Sequence, residues 1–410
     1  MRTFNFLTIC GLILITLTGL MNHLEAQSIR TDDQDIQPLD LKEGSRITFV
    51  GNSLFEQAQP YGIQEFMLLS AWPDKRLTFR NLGWSGDTAE GSARSYISTP
   101  PQPYDLLIQQ ILATAPDVVV IAYGGMEAYE GLNGLKKFED NLIRLIDTIH
   151  SMEAQPVLVT PIPQIPIEKI NVNVKERNDN LALYTQKIKE IAHKKDLLVA
   201  DLFNNFQQIG QTAYTENGIH LNESGYYQAG KMLLSSLGHK DPVWNIDVNS
   251  KTNEINASGD LKITDPGINR KGLEFTVHDK HLPHPGHIKT QSGRTLVIQG
   301  LHKGVYTLLV DQQNIVSATA KAWANGVQIT QGPAFDKARQ IREKLIQIND
   351  LYFQAYRPLN RTYLVGMRLH EQEQNAYELE VNNLFINRLE DQIALLLNQD
   401  PNHYQLKRIK

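Results

Sequence analysis

Apolar positions along this chain change their period twice. From Arg46 to about Leu237, short apolar runs alternate with longer stretches in which apolar residues recur at helical spacing. The runs Arg46–Val50, Leu77–Leu82, Asp117–Ala122, Pro156–Thr160 and Leu197–Asp201 read as five strands. Helical spacing predicts helices over about Leu54–Trp72, Tyr104–Ala115, Leu135–Met152, Asn180–Lys194 and Ser224–Leu237. Short apolar strands alternating with helices predict a parallel sheet covered on both faces, hence an α/β domain over residues 40–240. Sites in such sheets form at the carboxyl ends of the strands. That rule directs attention to the segments after Val50, Leu82 and Ala122.

From Val243 to about Ile329 the period shortens to alternation, as in Leu273–Val277, Thr295–Ile298 and Val305–Val310, with Gly-containing turns between. This predicts a small antiparallel β domain over residues 243–330. At Pro333 the helical period returns. Two helices are expected, over 334–355 and 382–398, joined by an irregular link from Tyr356 to Tyr363; together they form a C-terminal helical segment over 333–405. At the other end, Arg2, the apolar run Phe6–Met21 and the small-residue site Leu24-Glu25-Ala26 predict a signal peptide over residues 1–26. The mature chain is therefore expected to be exported, periplasmic or extracellular. No other stretch is apolar enough to cross a bilayer, so no membrane association of the mature form is expected.

Composition narrows the chemistry. Of 410 residues, 41% are hydrophobic and 21% charged, ordinary for a globular chain with more than one domain. A net charge of -5 supplies no electrostatic reason to bind nucleic acid. The one cysteine, Cys10, lies in the signal-peptide run, so the mature chain has no disulfide, thiolate nucleophile or Cys-ligated zinc. His278, His281, His284 and His287 recur every three residues, but Pro283 and Pro285 break any regular helix there. A polar loop is the expected reading, with no metal and no cofactor. Nothing in the chain indicates an oligomeric state.

Three segments carry candidate chemistry. Val50-Gly51-Asn52-Ser53-Leu54 places a serine directly after a buried strand and before a helix. A hydroxyl there sits at the mouth of the sheet among free backbone N–H groups, as a nucleophile requires; a plain N-cap serine has the same local sequence. Asn81-Leu82-Gly83-Trp84-Ser85-Gly86-Asp87-Thr88 again follows a strand, where a glycine can bring its N–H to a substrate oxygen or simply make a turn. Thr215-Glu216-Asn217-Gly218-Ile219-His220-Leu221 sets a histidine in a polar loop before a helix, within reach of the sheet mouth or merely on the surface.

In order and spacing these segments resemble the SGNH/GDSL hydrolase family over about residues 44–238. Gly51-Asn52-Ser53-Leu54 resembles its Gly-Asp-Ser-Leu motif, and Ser85-Gly86-Asp87-Thr88 its glycine block. Gly124-Gly125-Met126-Glu127 falls at its Gly-x-Asn-Asp block, and Asn217-Gly218-Ile219-His220 at its Asp-x-x-His block. The likeness extends to a branch in planctomycete and related bacterial exported proteins, through Gly51-Asn52-Ser53, Arg80–Ser85, Asn217–Leu221 and Arg357-Pro358-Leu359-Asn360.

The resemblance implies a three-layer α/β/α, flavodoxin-like domain and an esterase. Ser53 would be the nucleophile and His220 its base. The N–H groups of Ser53 and Gly86 would form the oxyanion hole. Met126 stands at the family's Asn position in that hole, and a thioether cannot donate. Asn217 stands where the family has the triad Asp, with Glu216, one residue earlier, as an alternative carboxylate. Asn52, Trp84, Tyr123 and Glu127 are the candidate substrate-binding residues, the two aromatics as platforms for a sugar ring. The expected substrate is a small-molecule or polysaccharide ester, in particular O-acyl groups on carbohydrate. Two other readings compete: a degraded pseudoenzyme that only binds glycan or protein, and a structural cell-surface protein.

Overall fold

The computed structural model describes residues 39, 41–94, 102–167, 173–209, 214–240, 243–259, 261–284, 294–358, 368, 370–371 and 376–409. The signal-peptide reading, His287, Pro285 and the link beyond Pro358 lie outside the described residues.

Five parallel strands form the first sheet: β1 (Arg46–Gly51), β2 (Thr78–Asn81), β3 (Val118–Ala122), β4 (Gln155–Val159) and β5 (Val199–Ala200), in the order β2-β1-β3-β4-β5. Register is continuous across the centre, with Phe49 opposite Val120 and Val120 opposite Val157. Every residue of β3 is buried, as expected of a strand covered on both faces. Flanking helices are α1 (Ser53–Glu56), α2 (Ile63–Ala71), α3 (Pro103–Ala113), α4 (Gly131–Ser151), α5 (Val174–Lys195), α6 (Leu202–Ile209) and α7 (Glu223–Ser236). The single helix expected over Leu54–Trp72 is two, because Pro60 and Gly62 interrupt it.

A second core is built by two further sheets. One contains β6 (Trp244–Asn249), β7 (Glu254–Ala257), β10 (Arg294–Gln299) and β13 (Val327–Gln328); the other contains β8 (Lys262–Asn269), β9 (Gly272–His278), β11 (Val305–Val310), β12 (Gln313–Thr319) and β14 (Asn402–Arg408). Trp244, Phe275, Tyr306, Trp323 and Tyr404 dominate its interior. The pairing is antiparallel except between β6 and β10, which run parallel. Short α8 (Ala320–Asn325) lies between β12 and β13.

The C-terminal segment differs most from expectation. Helices α9 (Pro333–Tyr356) and α10 (Ala376–Leu397) are present, but residues 402–408 are not part of a helical extension. They form β14, inserted between β11 and β9 of the β domain. The alternation of buried Tyr404 and Leu406 with exposed neighbours explains the strand. The two helices do not stand apart either. Ile341, Leu345, Ile348, Ile386 and Ile393 join the core of the first domain, together with Phe66 and Leu69. Tyr356 Oη donates to Gly83 O at 2.9 Å, and Gln110 Nε2 to Tyr356 O at 2.9 Å. Arg80 pairs with Glu390 at 2.6 Å, and Arg357 pairs with Glu56.

The histidines of the three-residue repeat diverge. His278 Nε2 lies 3.2 Å from Thr264 Oγ1, His281 Nδ1 lies 3.0 Å from Ser70 O, and His284 packs edge-on to Phe66 and Tyr227. No described helix is long and apolar enough to cross a membrane.

Candidate active site

β1 lies between β2 and β3, so its carboxyl end opens at the middle of the sheet. Gly51 ends the strand under constraint: a Cβ there would stand 2.6 Å from Ala122 O. Asn52 then caps α1, its Oδ1 accepting from Leu54 N at 3.1 Å. Ser53 is the first residue of that helix and is only partly buried.

His220 arrives from the other end of the domain on a tight reversal. Thr215 and Leu221 form an antiparallel bridge, and Glu216 N donates to His220 O at 2.9 Å. At its tip Gly218 takes φ +76°, and a Cβ there would approach Ile165 O to 2.4 Å. Tyr226, on the helix that follows, donates its hydroxyl to Leu54 O at 2.9 Å. That bond ties the histidine's helix to the serine's. Ser53 and His220 consequently line one pocket of about 80 Å³, together with Asn52, Met126, Tyr129 and Arg177.

Asn217 orients the imidazole. Its Oδ1 accepts from Ile219 N at 3.2 Å and His220 N at 2.9 Å, which leaves Nδ2 facing His220 Nδ1 at 3.0 Å. An amide nitrogen only donates, so Nδ1 accepts, and the neutral ring carries its proton on Nε2. Glu216 does not supply the carboxylate suggested for this place: its Oε1 accepts from Tyr61 Oη at 2.7 Å. Burial, followed by that bond to Glu216, pushes the Tyr61 hydroxyl up to about 12.

Three of the four candidate substrate-binding residues have other duties. Trp84 is 1% exposed, lies outside the pocket, and packs against the guanidinium groups of Arg94 and Arg357. Tyr123 borders the pocket but is buried, and its hydroxyl donates to Asp87 Oδ2 at 2.7 Å. Both aromatics are thus packing residues rather than sugar platforms. Glu127 also lies outside the pocket lining. Its carboxylate accepts from Ala89 N and Gly124 N, each at 2.9 Å, and joins the loops after β2 and β3. Asn52 alone of the four keeps a place in the pocket without an internal role for its Nδ2.

Of the candidate oxyanion residues, Met126 borders the pocket, whereas Gly86 does not. Gly86 is exposed at φ +82°, with open space beyond its Cα. The loop bearing it is fixed from beneath. Arg94 Nε pairs with Asp87 Oδ2 at 2.8 Å with neither side chain exposed, and Arg94 also donates to Gln110 and Leu82 O.

Burial raises the Glu127 carboxyl to about 7, although its bonds from Ala89 and Gly124 favour the charged form. The folded state therefore holds this proton to higher pH than the unfolded chain. Stability from this group is complete below its ordinary value of about 4.5 and is lost as pH rises through 7. Urea denaturation should show wild type losing stability relative to Glu127→Gln between those pH values. A constant difference would remove the assignment.

Sequence reasoning missed Arg177, Tyr129 and Tyr226 in this pocket. Arg177 had a visible signal. It occupies the buried stripe of α5 with Leu181, Tyr184, Ile188 and Ile191, where a cation is out of place.

Residues 49–228 match the model of the GDSL-like lipase/acylhydrolase family. Those residues therefore form a domain of that family. The chain matches no curated protein. Among solved structures it is similar to a gut microbial diltiazem-metabolizing enzyme, with 16% identity and a TM-score of 0.69 over 91% of this chain and 100% of that one. The likeness shows that the fold is shared well beyond the family domain. The acetylxylan esterase Axe2 of Geobacillus stearothermophilus is 18% identical over 49% of this chain and 98% of its own, with a TM-score of 0.40. A GDSL-like lipase assigned in Parabacteroides merdae is 15% identical over 50% of this chain and 100% of its own, with a TM-score of 0.42.

Proposed function

We propose that this GDSL-like hydrolase is an exported serine esterase that removes O-acyl groups from carbohydrate. The observation that carries the reading is the convergence of Ser53 and His220, 167 positions apart in sequence, on one pocket at the carboxyl end of the central strand. Ser53 Oγ attacks the ester carbonyl and passes its proton to His220 Nε2 in the less populated tautomer, in which the ring hydrogen has moved to Nδ1. The oxyanion is received by the Ser53 N–H at the start of α1. His220 returns the proton to the departing alcohol, and water releases the acyl group by the same steps in reverse. The small pocket suits a short acyl group, and Tyr129, 61% exposed at its rim, offers a ring face to a sugar. Export rests on the apolar run Phe6–Met21 behind Arg2.

Two features make this a slow enzyme. Met126 offers no oxyanion donor, which typically costs about 10²–10³ in rate. Asn217 holds the imidazole in the tautomer that must lose its Nε2 proton before it can act as base.

The test is p-nitrophenyl acetate turnover by protein purified from the periplasmic fraction, whose mass should correspond to loss of residues 1–26. Wild type is expected to exceed Ser53→Ala by roughly 10²-fold or more. Equal rates would end the esterase reading and leave the pocket as a binding site.

A further inference from the structure

Four arginines are buried among the described residues: Arg80, Arg94, Arg177 and Arg294. Three of them have a carboxylate, at 2.6 Å for Arg80–Glu390, 2.8 Å for Arg94–Asp87 and 2.6 Å for Arg294–Asp279. Arg177 is the exception. It is 8% exposed, and its Nη2 donates to the Gly125 carbonyl, while Nε and Nη1 have no hydrogen-bond partner. One face of the guanidinium is covered by the Tyr129 ring, 3.5 Å from Cζ to centroid. No carboxylate among the described residues is within ion-pair distance.

An uncompensated buried charge is costly, and a fold keeps one where a ligand completes it. Arg177 lines the same pocket as Ser53 and His220. Its cover, Tyr129, is largely exposed on a short 3₁₀ turn, Glu127–Glu130, so rotation of that side chain uncovers the guanidinium toward the pocket.

We propose that Arg177 is the anion-binding residue of this pocket, and that the substrate is an ester carried by an acidic carbohydrate whose carboxylate or sulfate pairs with its guanidinium. The substrate half rests on the esterase reading; the anion half does not. The planar fork meets a carboxylate or sulfate in two parallel bonds, and Tyr129 stacks on the ring that bears it.

Two measurements test this on the full mature chain. In the first, kcat/KM is compared for mono-O-acetylated methyl glucuronide and methyl glucoside. Wild type should prefer the acidic ester by roughly tenfold or more, and Arg177→Gln should abolish the preference. A ratio of two substrates on one preparation is insensitive to any loss of folded enzyme. In the second, methyl glucuronide, glucose 6-sulfate and methyl glucoside are titrated into Ser53→Ala by calorimetry. The acidic ligands should bind and the neutral one should not, with the tighter of the two acids identifying carboxylate or sulfate. If no ester is turned over but an acid still binds, the esterase reading fails and the anion site stands. If neither acid binds, or wild type hydrolyses both esters equally, the proposal is overturned.

Discussion

Asn217→Asp should raise kcat on p-nitrophenyl acetate by several orders of magnitude, toward about 10⁴, the loss that the reverse change causes in a serine protease triad. The expectation follows from the hydrogen bonds of one side chain. Asn217 Oδ1 is committed to the backbone N–H groups of Ile219 and His220, so the amide cannot be turned to present its oxygen to the ring. What faces His220 Nδ1 at 3.0 Å is a donor. A carboxylate in the same place keeps one oxygen for the backbone bonds and offers the other to Nδ1–H. The neutral ring then carries its proton on Nδ1, leaving Nε2 free to take the proton of Ser53, and the imidazolium that forms gains a countercharge. The measurement is kcat for wild type, Asn217→Asp and the double variant Ser53→Ala/Asn217→Asp. A gain in the first variant that disappears in the second supports the assignment. Unchanged kcat in Asn217→Asp would mean that His220 is not the base.

The second large effect concerns stability. Asp87→Ala should cost about 3–5 kcal/mol in urea denaturation, because it leaves the fully buried Arg94 without its carboxylate. The loss also strips the Tyr123 hydroxyl of its acceptor and removes the bond that Ala93 N donates to Asp87 Oδ1 at 3.2 Å. Tyr123 borders the pocket, so the folded fraction of the variant should also lose esterase activity. Replacing both partners, as Asp87→Leu/Arg94→Met, should cost less than Asp87→Ala alone, since no unpaired charge is then left inside. A single-variant loss under about 1 kcal/mol would show that water reaches Arg94 and that the pair is not a buried one.

Much of the catalytic domain was legible because its signals are local. A strand buried on both faces must be apolar throughout, and Val118–Ala122 is. The end of such a strand must turn sharply, and Gly51 before Ser53 marks the place. The Asn217–His220 loop could be singled out for the same reason: a glycine and short polar residues before a helix are visible without knowing what lies opposite. Trp84 shows the limit of that method. Its neighbours in sequence suggest an exposed turn beside the site, yet Arg94 and Arg357 pack against it. The second of those lies more than 270 positions away, and no local pattern announces it. Glu216 and Asn217 show the same limit at finer scale. Both can reach an imidazole in principle; the hydroxyl of Tyr61 removes the first from contention.

Periodicity and turn chemistry, acting over a few residues each, were enough to determine most of the elements of the first domain, its five-strand parallel sheet and the edge at which its chemistry sits. The tertiary structure alone decided which groups meet there: that β14 returns to the β domain, that Tyr356 props Gly83, and that Arg177 faces the pocket with no carboxylate beside it. Backbone preference and burial are properties of a residue and its near neighbours. The pairing of a charge or a hydrogen-bond donor depends on what the rest of the chain brings within about 3 Å of it, and that distance is set only when the cores close.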